Sequence, residues 1–159
     1  GMAGLWCVQV GYGNQELAET ARDAIETLSY YNHFFQTTTP AAAELAALIA
    51  SKTPGDLNQI LFATSGSEAN DSATKLIWYY WNLRGRPNKK AIISRNRAYH
   101  GSTAIGASLS GLPFMQGIFD LPLPRFHHVA PTPCYYQYGE PGEIEEALVL
   151  RCARAVEEK

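Results

Sequence analysis

The sequence lacks the features that identify several broad classes of protein. No apolar run approaches the ~18 residues that a membrane-spanning helix needs. The formal net charge is -2 and no basic stripe is present, so the electrostatic footprint of a nucleic-acid-binding protein is missing. No basic, apolar and small-residue pattern of a signal peptide marks the start. We therefore expect neither membrane insertion nor nucleic-acid binding.

Cysteine is scarce, and its spacing excludes two further classes. Cys7, Cys134 and Cys152 are odd in number, lie far apart and form no CxxC pair. Disulfide frameworks and zinc sites need paired cysteines at regular spacings. We interpret the three as reduced thiols of a cytoplasmic protein and predict no metal site.

The residues that are present suit a packed domain or part of one. Apolar residues make up 46% and charged residues 18% of the 159 positions, which is enough to bury a core. The chain begins with Gly1 instead of Met, and residues 151–159 have helical periodicity without a Gly or Pro stop. From these two features we expect a part of a longer protein.

Apolar periodicity predicts helices that alternate with short strands. Asn14 is a candidate cap for the first helix, and Pro40 suits the first position of the second. The predicted helices cover residues 15–30, 40–53, 67–84, 103–110 and 142–159, and the predicted strands cover 59–63 and 91–94. Five prolines between residues 113 and 133 predict an extended, irregular crossing. The alternation predicts an α/β domain with a parallel sheet.

A possible anion site lies where the strand at 59–63 turns into the long helix at 67–84. Gly66 permits a tight turn and close approach of a ligand. The first N–H groups of a helix lack partners within it, and the helix dipole adds positive potential there. We therefore predict that the N–H groups of Gly66 and Ser67, with the Ser67 hydroxyl, bind a phosphate. No Gly-Lys-Ser/Thr follows, which disfavours a nucleoside triphosphate. The alternative is that Ser65 or Ser67 is only a helix cap.

A second polar loop follows the next predicted strand. Ligands of open α/β sheets bind beyond the carboxyl ends of the strands, so this loop and the turn at Gly66 can reach one ligand. Tyr99 offers a flat ring for stacking on an aromatic ligand, and His100 can form hydrogen bonds or carry a proton. The alternative is that Tyr99 is a half-buried packing residue and His100 a loop histidine with satisfied hydrogen bonds.

Together these segments resemble the class III aminotransferases, a family dependent on pyridoxal 5'-phosphate (PLP). The resemblance is carried by residues 64–71, 79–82 and 99–103. Residues 1–8, 11–13 and 31–35 are similar to the branch that uses ω-amino acids, diamines or simple amines with pyruvate. The resemblance implies part of the fold type I large domain over residues 1–159, with a parallel-rich sheet and flanking helices. It also implies a substrate-pocket segment at about 1–40.

The resemblance assigns roles to particular residues. It implies that six residues form the cofactor site, namely Ser65, Gly66, Ser67, Tyr99, His100 and Gly101. Gly66 and Ser67 would hold the phosphate, and Tyr99 would stack on the pyridine ring. Trp6 and Phe34 would line the substrate pocket, with Phe34 reaching into the partner's site of a homodimer.

The catalytic residues of the family are expected outside this chain. The family's cofactor-linking lysine, the acid beside the pyridine nitrogen and the arginine that binds the substrate carboxylate are expected beyond Lys159. No lysine of the chain follows the family motif; the lysines are Lys52, Lys75, Lys89, Lys90 and Lys159. We therefore predict no catalytic residue here and expect the catalytic-lysine half and the C-terminal small domain elsewhere.

The function favoured by the resemblance is transfer of an amino group from an amine donor to a 2-oxo acid such as pyruvate. A second possibility is another PLP reaction on the same fold, such as that of an aminomutase or decarboxylase. A third is a non-catalytic module that binds a small phosphorylated ligand. A fourth is that the chain alone has no function and exposes apolar surface that the rest of a larger core would cover.

Overall fold

A computed structural model describes residues 2–129 and 139–159. The chain divides into two compact units, Gly1–Leu61 and Phe62–Lys159. The first unit extends past the substrate-pocket segment expected at about residues 1–40. In the described parts of the chain, no helix has the length and apolar character needed to cross a membrane.

The first unit is helical. Its elements are a short turn α1 (Ala3–Trp6) and the helices α2 (Gln15–Leu28) and α3 (Pro40–Ala50). All four residues of α1 have positive φ, so this turn is left-handed. None of the residues in these three elements is buried, so the apolar side chains of α2, such as Leu17 and Ile25, are exposed in this unit.

The starts of α2 and α3 confirm the predicted cap at Asn14 and the predicted place of Pro40. The Asn14 side chain accepts a hydrogen bond from the N–H of Leu17 at 3.0 Å. The Thr39 hydroxyl oxygen accepts one from the N–H of Ala42 at 3.3 Å, and Pro40 occupies the first helical turn. Each cap satisfies an N–H group that has no partner inside the helix, which is why these residues begin helices.

The second unit alternates helices and strands. Its elements are α4 (Gly66–Leu83), β1 (Ile92–Arg95), α5 (Ala104–Leu109), a 3-10 helix (Pro113–Met115), β2 (Phe126–Val129) and α6 (Glu145–Glu157). The two strands pair in parallel, with Ile92 opposite Phe126 and Arg95 opposite Val129. The predicted α/β class with a parallel sheet is therefore confirmed.

The core of the second unit lies around this pair of strands. Helix α5 packs against α4 and both strands, and α6 packs against β2. The buried apolar residues are Ala107, Phe126, Val129, Leu148 and Cys152. Trp78 attaches α4 to the sheet, because its indole N–H donates to the Lys90 carbonyl at 3.2 Å and its ring meets Phe126 edge-on at 6.3 Å. These contacts hold the long helix beside the amino ends of β1 and β2.

The strand predicted at 91–94 is confirmed as β1, but the other predicted strand is absent and one strand forms where none was predicted. Residues 59–63 form no strand, and the side chains of Leu61 and Phe62 are exposed. A strand needs a neighbour for its N–H and C=O groups, and within the described residues β1 and β2 pair only with each other. Conversely, Phe126–Val129 lies in the segment predicted to be irregular but forms β2.

The cysteine prediction is tested at two of the three positions. Cys7 and Cys152 are free thiols, the first exposed and the second buried. Cys134, together with Pro131 and Pro133 of the predicted crossing, lies outside the described residues.

Candidate functional site

The N-terminus of α4 offers two unpaired backbone donors. Ser65 caps the helix, since its hydroxyl oxygen accepts from the N–H of Glu68 at 3.2 Å and its carbonyl from the N–H of Ala69 at 3.0 Å. The capping alternative is thus correct for Ser65. Within the described chain, the N–H groups of Gly66 and Ser67 have no acceptor. Both lie at the positive end of the helix dipole, where an anion is stabilised.

Glu68 closes the turn that leads into α4. Its carboxylate accepts hydrogen bonds from the N–H of Thr64 at 2.8 Å and from the Thr64 hydroxyl. The hydroxyl, and then the N–H, lower the pKa of Glu68 below its usual value of 4.5. Glu68 therefore stays ionised near neutral pH and ties Thr64 to the first helical turn. Sequence reasoning missed this role, although the Ser-x-x-Glu spacing that typifies a capping box was visible.

The loop between β1 and α5 is held at both ends of its polar segment. Gly111 donates its N–H to the Ala98 carbonyl at 2.9 Å. The N–H of His100 donates to the Ser110 hydroxyl oxygen at 2.8 Å, and the His100 carbonyl accepts from the side-chain amide of Asn70 at 2.8 Å. The loop that carries Tyr99 is therefore fixed to both α4 and the end of α5.

Gly101 brings this loop into direct contact with the start of α4. Its φ is +123°, and a Cβ at this position would lie 2.4 Å from the Ser67 hydroxyl oxygen and 3.0 Å from the Ser67 Cα. Directly beyond it, the N–H of Ser102 donates to the Ser67 hydroxyl oxygen at 3.3 Å. Only glycine fits both the backbone conformation and the available space.

A cleft of about 300 Å³ lies between the helix start and the loop. Its lining residues are Gly66, Ser67, Asn70, Tyr99, His100 and Gly101. The structure thus brings together five of the six residues predicted for the cofactor site, while Ser65 acts as the cap. Asn70 was missed, because its partner lies far away in the sequence.

The two side chains predicted to face the ligand carry no competing hydrogen bonds. Tyr99 is 64% exposed, so it does not pack in the core of the described residues. Neither its hydroxyl nor the imidazole of His100 makes a side-chain hydrogen bond within the described residues. His100 is held through its backbone, which leaves its ring available to a ligand.

Trp6 and Phe34 belong to the first unit. The side chain of Trp6 is 83% exposed and that of Phe34 is 72% exposed. The Phe34 ring contacts Phe35, with ring centres 6.4 Å apart. Their role in a substrate pocket stays a prediction.

The cleft suits a ligand that joins an anion to a flat ring. A Cβ at Gly66 would meet no atom within 4 Å, so the space above the helix start is open. The two unpaired N–H groups suit the oxygens of a phosphate, and the exposed Tyr99 ring suits stacking. None of the residues that line the cleft is a lysine. These residues can therefore bind and orient such a ligand, but they provide no lysine to react with it.

Known proteins resemble the chain over almost its whole length. The family model for aminotransferase class-III matches residues 1–159. The chain belongs to the class III aminotransferase family. PLP, the cofactor on which class III aminotransferases depend, combines the phosphate and the flat ring that the cleft suits.

Two class III relatives have about the same sequence identity to this chain. Gamma-aminobutyrate transaminase 1, mitochondrial, of Oryza sativa subsp. indica is 44% identical over 158 residues, which cover 99% of this chain and 30% of that protein. Putrescine–pyruvate aminotransferase of Pseudomonas aeruginosa is 45% identical over 143 residues, 90% of this chain and 31% of that protein.

Solved class III structures have the same fold. The omega transaminase from Pseudomonas jessenii in complex with PMP matches with a TM-score of 0.94 and 42% identity, over 99% of this chain and 34% of that one. The chain spans about a third of the length of these relatives.

Proposed function

We propose that the full-length protein containing residues 1–159 is a PLP-dependent transaminase. It moves an amino group from an ω-amino acid, diamine or amine to a 2-oxo acid such as pyruvate. One observation carries the proposal: two unpaired N–H groups at the start of α4 share a cleft with the exposed Tyr99 ring, in a chain of the class III family. The relatives named for gamma-aminobutyrate and for putrescine with pyruvate support this substrate class.

The residues of this chain bind and orient the cofactor. The N–H groups of Gly66 and Ser67 donate to the phosphate. The Ser67 oxygen already accepts the N–H of Ser102, so its O–H is the group left to donate as well. Tyr99 stacks on the ring, and His100 lies beside it. When bound, PLP supplies an electron sink for charge that develops at the substrate carbon.

The remaining parts of the site come from outside these residues. The cofactor-linking lysine, the acid beside the pyridine nitrogen and the arginine for the substrate carboxylate belong to the rest of the full-length protein. We also propose a homodimer, in which Phe34 reaches the partner's substrate pocket. A cytoplasmic location stays a prediction, and the rice relative is named as mitochondrial.

The test is amino transfer by the full-length protein loaded with PLP. Putrescine, gamma-aminobutyrate and a simple monoamine are each supplied with pyruvate, and alanine is measured. We expect alanine with at least one donor and none without PLP. PLP binding without alanine from any donor would overturn transamination and favour another PLP reaction, which release of carbon dioxide or an isomerised amine would reveal. Absence of PLP binding would favour the module for a small phosphorylated ligand.

A further inference from the structure

The two peptide groups that flank His100 are each held by a side chain from a different helix region. On one side, the His100 N–H donates to the hydroxyl oxygen of Ser110 at 2.8 Å. On the other, the His100 carbonyl accepts from the amide of Asn70 at 2.8 Å. Ser110 is fully buried, and its own hydroxyl donates to the Gly106 carbonyl at 2.8 Å. We refer to Asn70 and Ser110 as the His100 clamp.

Asn70 belongs to a face of α4 whose side chains form hydrogen bonds with successive parts of the loop. Ser67 accepts from the N–H of Ser102 at 3.3 Å, and Asp71 accepts from the Thr103 hydroxyl at 2.7 Å. Positions three and four apart lie on one side of a helix, so Ser67, Asn70 and Asp71 share the same face. The face of α4 that begins at the predicted phosphate site therefore also holds the loop.

The clamp holds the backbone next to Tyr99. Tyr99 is exposed, and its hydroxyl makes no hydrogen bond within the described residues, so its own side chain does little to fix it. Its position follows from the backbone on either side, which is held at Ala98 by Gly111 and at His100 by the clamp. A ligand that uses both the helix start and the ring requires a set separation between them, because small displacements weaken binding at two points.

We infer that Asn70 and Ser110 are positioning residues that set the Tyr99 ring against the N–H groups of Gly66 and Ser67. This inference rests on the proposed function. Asn70 acts through the His100 carbonyl, so its loss leaves the phosphate donors of α4 in place. Removing it should weaken a ligand that needs the phosphate donors and the ring together, but not one that needs the donors alone.

The experiment compares Asn70→Ala with Asn82→Ala in the full-length protein. Asn82 lies on the same helix, is exposed and makes no side-chain hydrogen bond within the described residues, so the two variants differ in the clamp. PLP affinity is measured by absorbance titration and inorganic phosphate affinity by calorimetry. For Asn70→Ala we expect PLP affinity to fall about tenfold and phosphate affinity to stay within about twofold, since one part-buried hydrogen bond is lost. For Asn82→Ala we expect neither to change.

Circular dichroism of bound PLP gives a second readout. At saturating PLP, the induced signal reports the asymmetric surroundings of the ring, and we expect it to change in Asn70→Ala but not in Asn82→Ala. Asn70→Gln retains the amide donor and should recover part of the lost affinity. If Asn70→Ala does not fold, the affinity and signal of Asn70→Gln and Ser110→Ala are compared with wild type instead.

The outcomes separate the inference from the proposed function. If wild type binds no PLP, the proposed function fails and the inference falls with it. If wild type binds PLP but Asn70→Ala matches Asn82→Ala in affinity and signal, only the inference is overturned. Equal losses of PLP and phosphate affinity in Asn70→Ala would also overturn it, because Asn70 would then support the helix start or the whole fold.

Discussion

Gly101 lies in the loop after β1, directly beside Ser67 at the start of α4, and has a φ of +123°. We predict that Gly101→Ala lowers PLP affinity of the full-length protein by about tenfold or more and destabilises the fold. The added Cβ would lie 2.4 Å from the Ser67 hydroxyl oxygen, so either the loop or Ser67 must move. PLP titration and urea unfolding would measure the two effects.

A matched control separates the lack of space from the cost of the backbone conformation. Gly85 also has positive φ, +67°, but a Cβ there would meet no atom within 4 Å. Gly85→Ala should therefore cost about 1–2 kcal/mol of stability without affecting PLP affinity. Equal PLP affinities in the two alanine variants would contradict the role given to Gly101.

Glu68 makes the stability of the α4 start depend on pH. Because the Thr64 hydrogen bonds lower its pKa in the folded state, Glu68 stabilises the fold above its ordinary pKa of 4.5, and this contribution is lost as the pH falls. We predict that Glu68→Gln flattens this part of the stability curve, measured by urea unfolding from about pH 6 to pH 3. Glu157→Gln, at the end of α6, is the control and should leave the curve unchanged. A wild-type slope in Glu68→Gln would show that other groups cause it.

The local sequence did not determine which of the two serines beside Gly66 is the helix cap. Both Ser65 and Ser67 suit a helix cap by residue type. The structure distinguishes them, because Ser65 bonds to the N–H of Glu68 and Ser67 bonds to the N–H of Ser102. The second partner comes from a distant loop, so only the folded chain decides which serine faces the cleft.

At the scale of elements, α6 is attached to the core through one face. Leu148 is completely buried on this face, whereas Leu150 is 57% exposed. We predict that Leu148→Ala lowers the free energy of unfolding by about 2–5 kcal/mol through lost burial and a cavity. Leu150→Ala should cost less than about 1 kcal/mol, which urea unfolding of both variants would measure. Similar losses would mean that the rest of the full-length protein covers Leu150.

Helices were more predictable than strands. The helices α2, α3 and α4 begin within one residue of the predicted caps, since capping depends on neighbours in sequence. Strand formation depends on a partner, so the apolar run at 59–63 formed no strand and the short Phe126–Val129 paired with β1.

At the scale of the whole molecule, much apolar surface is exposed. Examples in the second unit are Leu76, Phe114, Ile118 and Phe119, and in the first Trp6 and Phe35. Such surface usually marks an interface or a buried face of a larger core. The chain spans about a third of the length of its relatives, which is consistent with this interpretation.

We predict that residues 1–159 expressed alone self-associate, because water contact with this apolar surface is unfavourable. Light scattering after size-exclusion chromatography would measure the mass of the species. The full-length protein at the same concentration is the control and should form one defined assembly. A monomeric, sharply melting chain of residues 1–159 would contradict the prediction and favour an independent binding module.

The sequence by itself determined the helix caps, the α/β class, the family resemblance and five of the residues around the cleft. These depend on patterns within a few residues, or on whole motifs such as 64–71 and 99–103. Only the tertiary structure decided that Glu68 closes the turn, that Ser65 is the helix cap while the Ser67 oxygen accepts from Ser102, and that Asn70 and Ser110 hold His100. The contacts of Asn70 and Ser67 join residues far apart in the chain, and the other contacts depend on backbone geometry that arises only on folding. These contacts therefore could not be predicted from local periodicity.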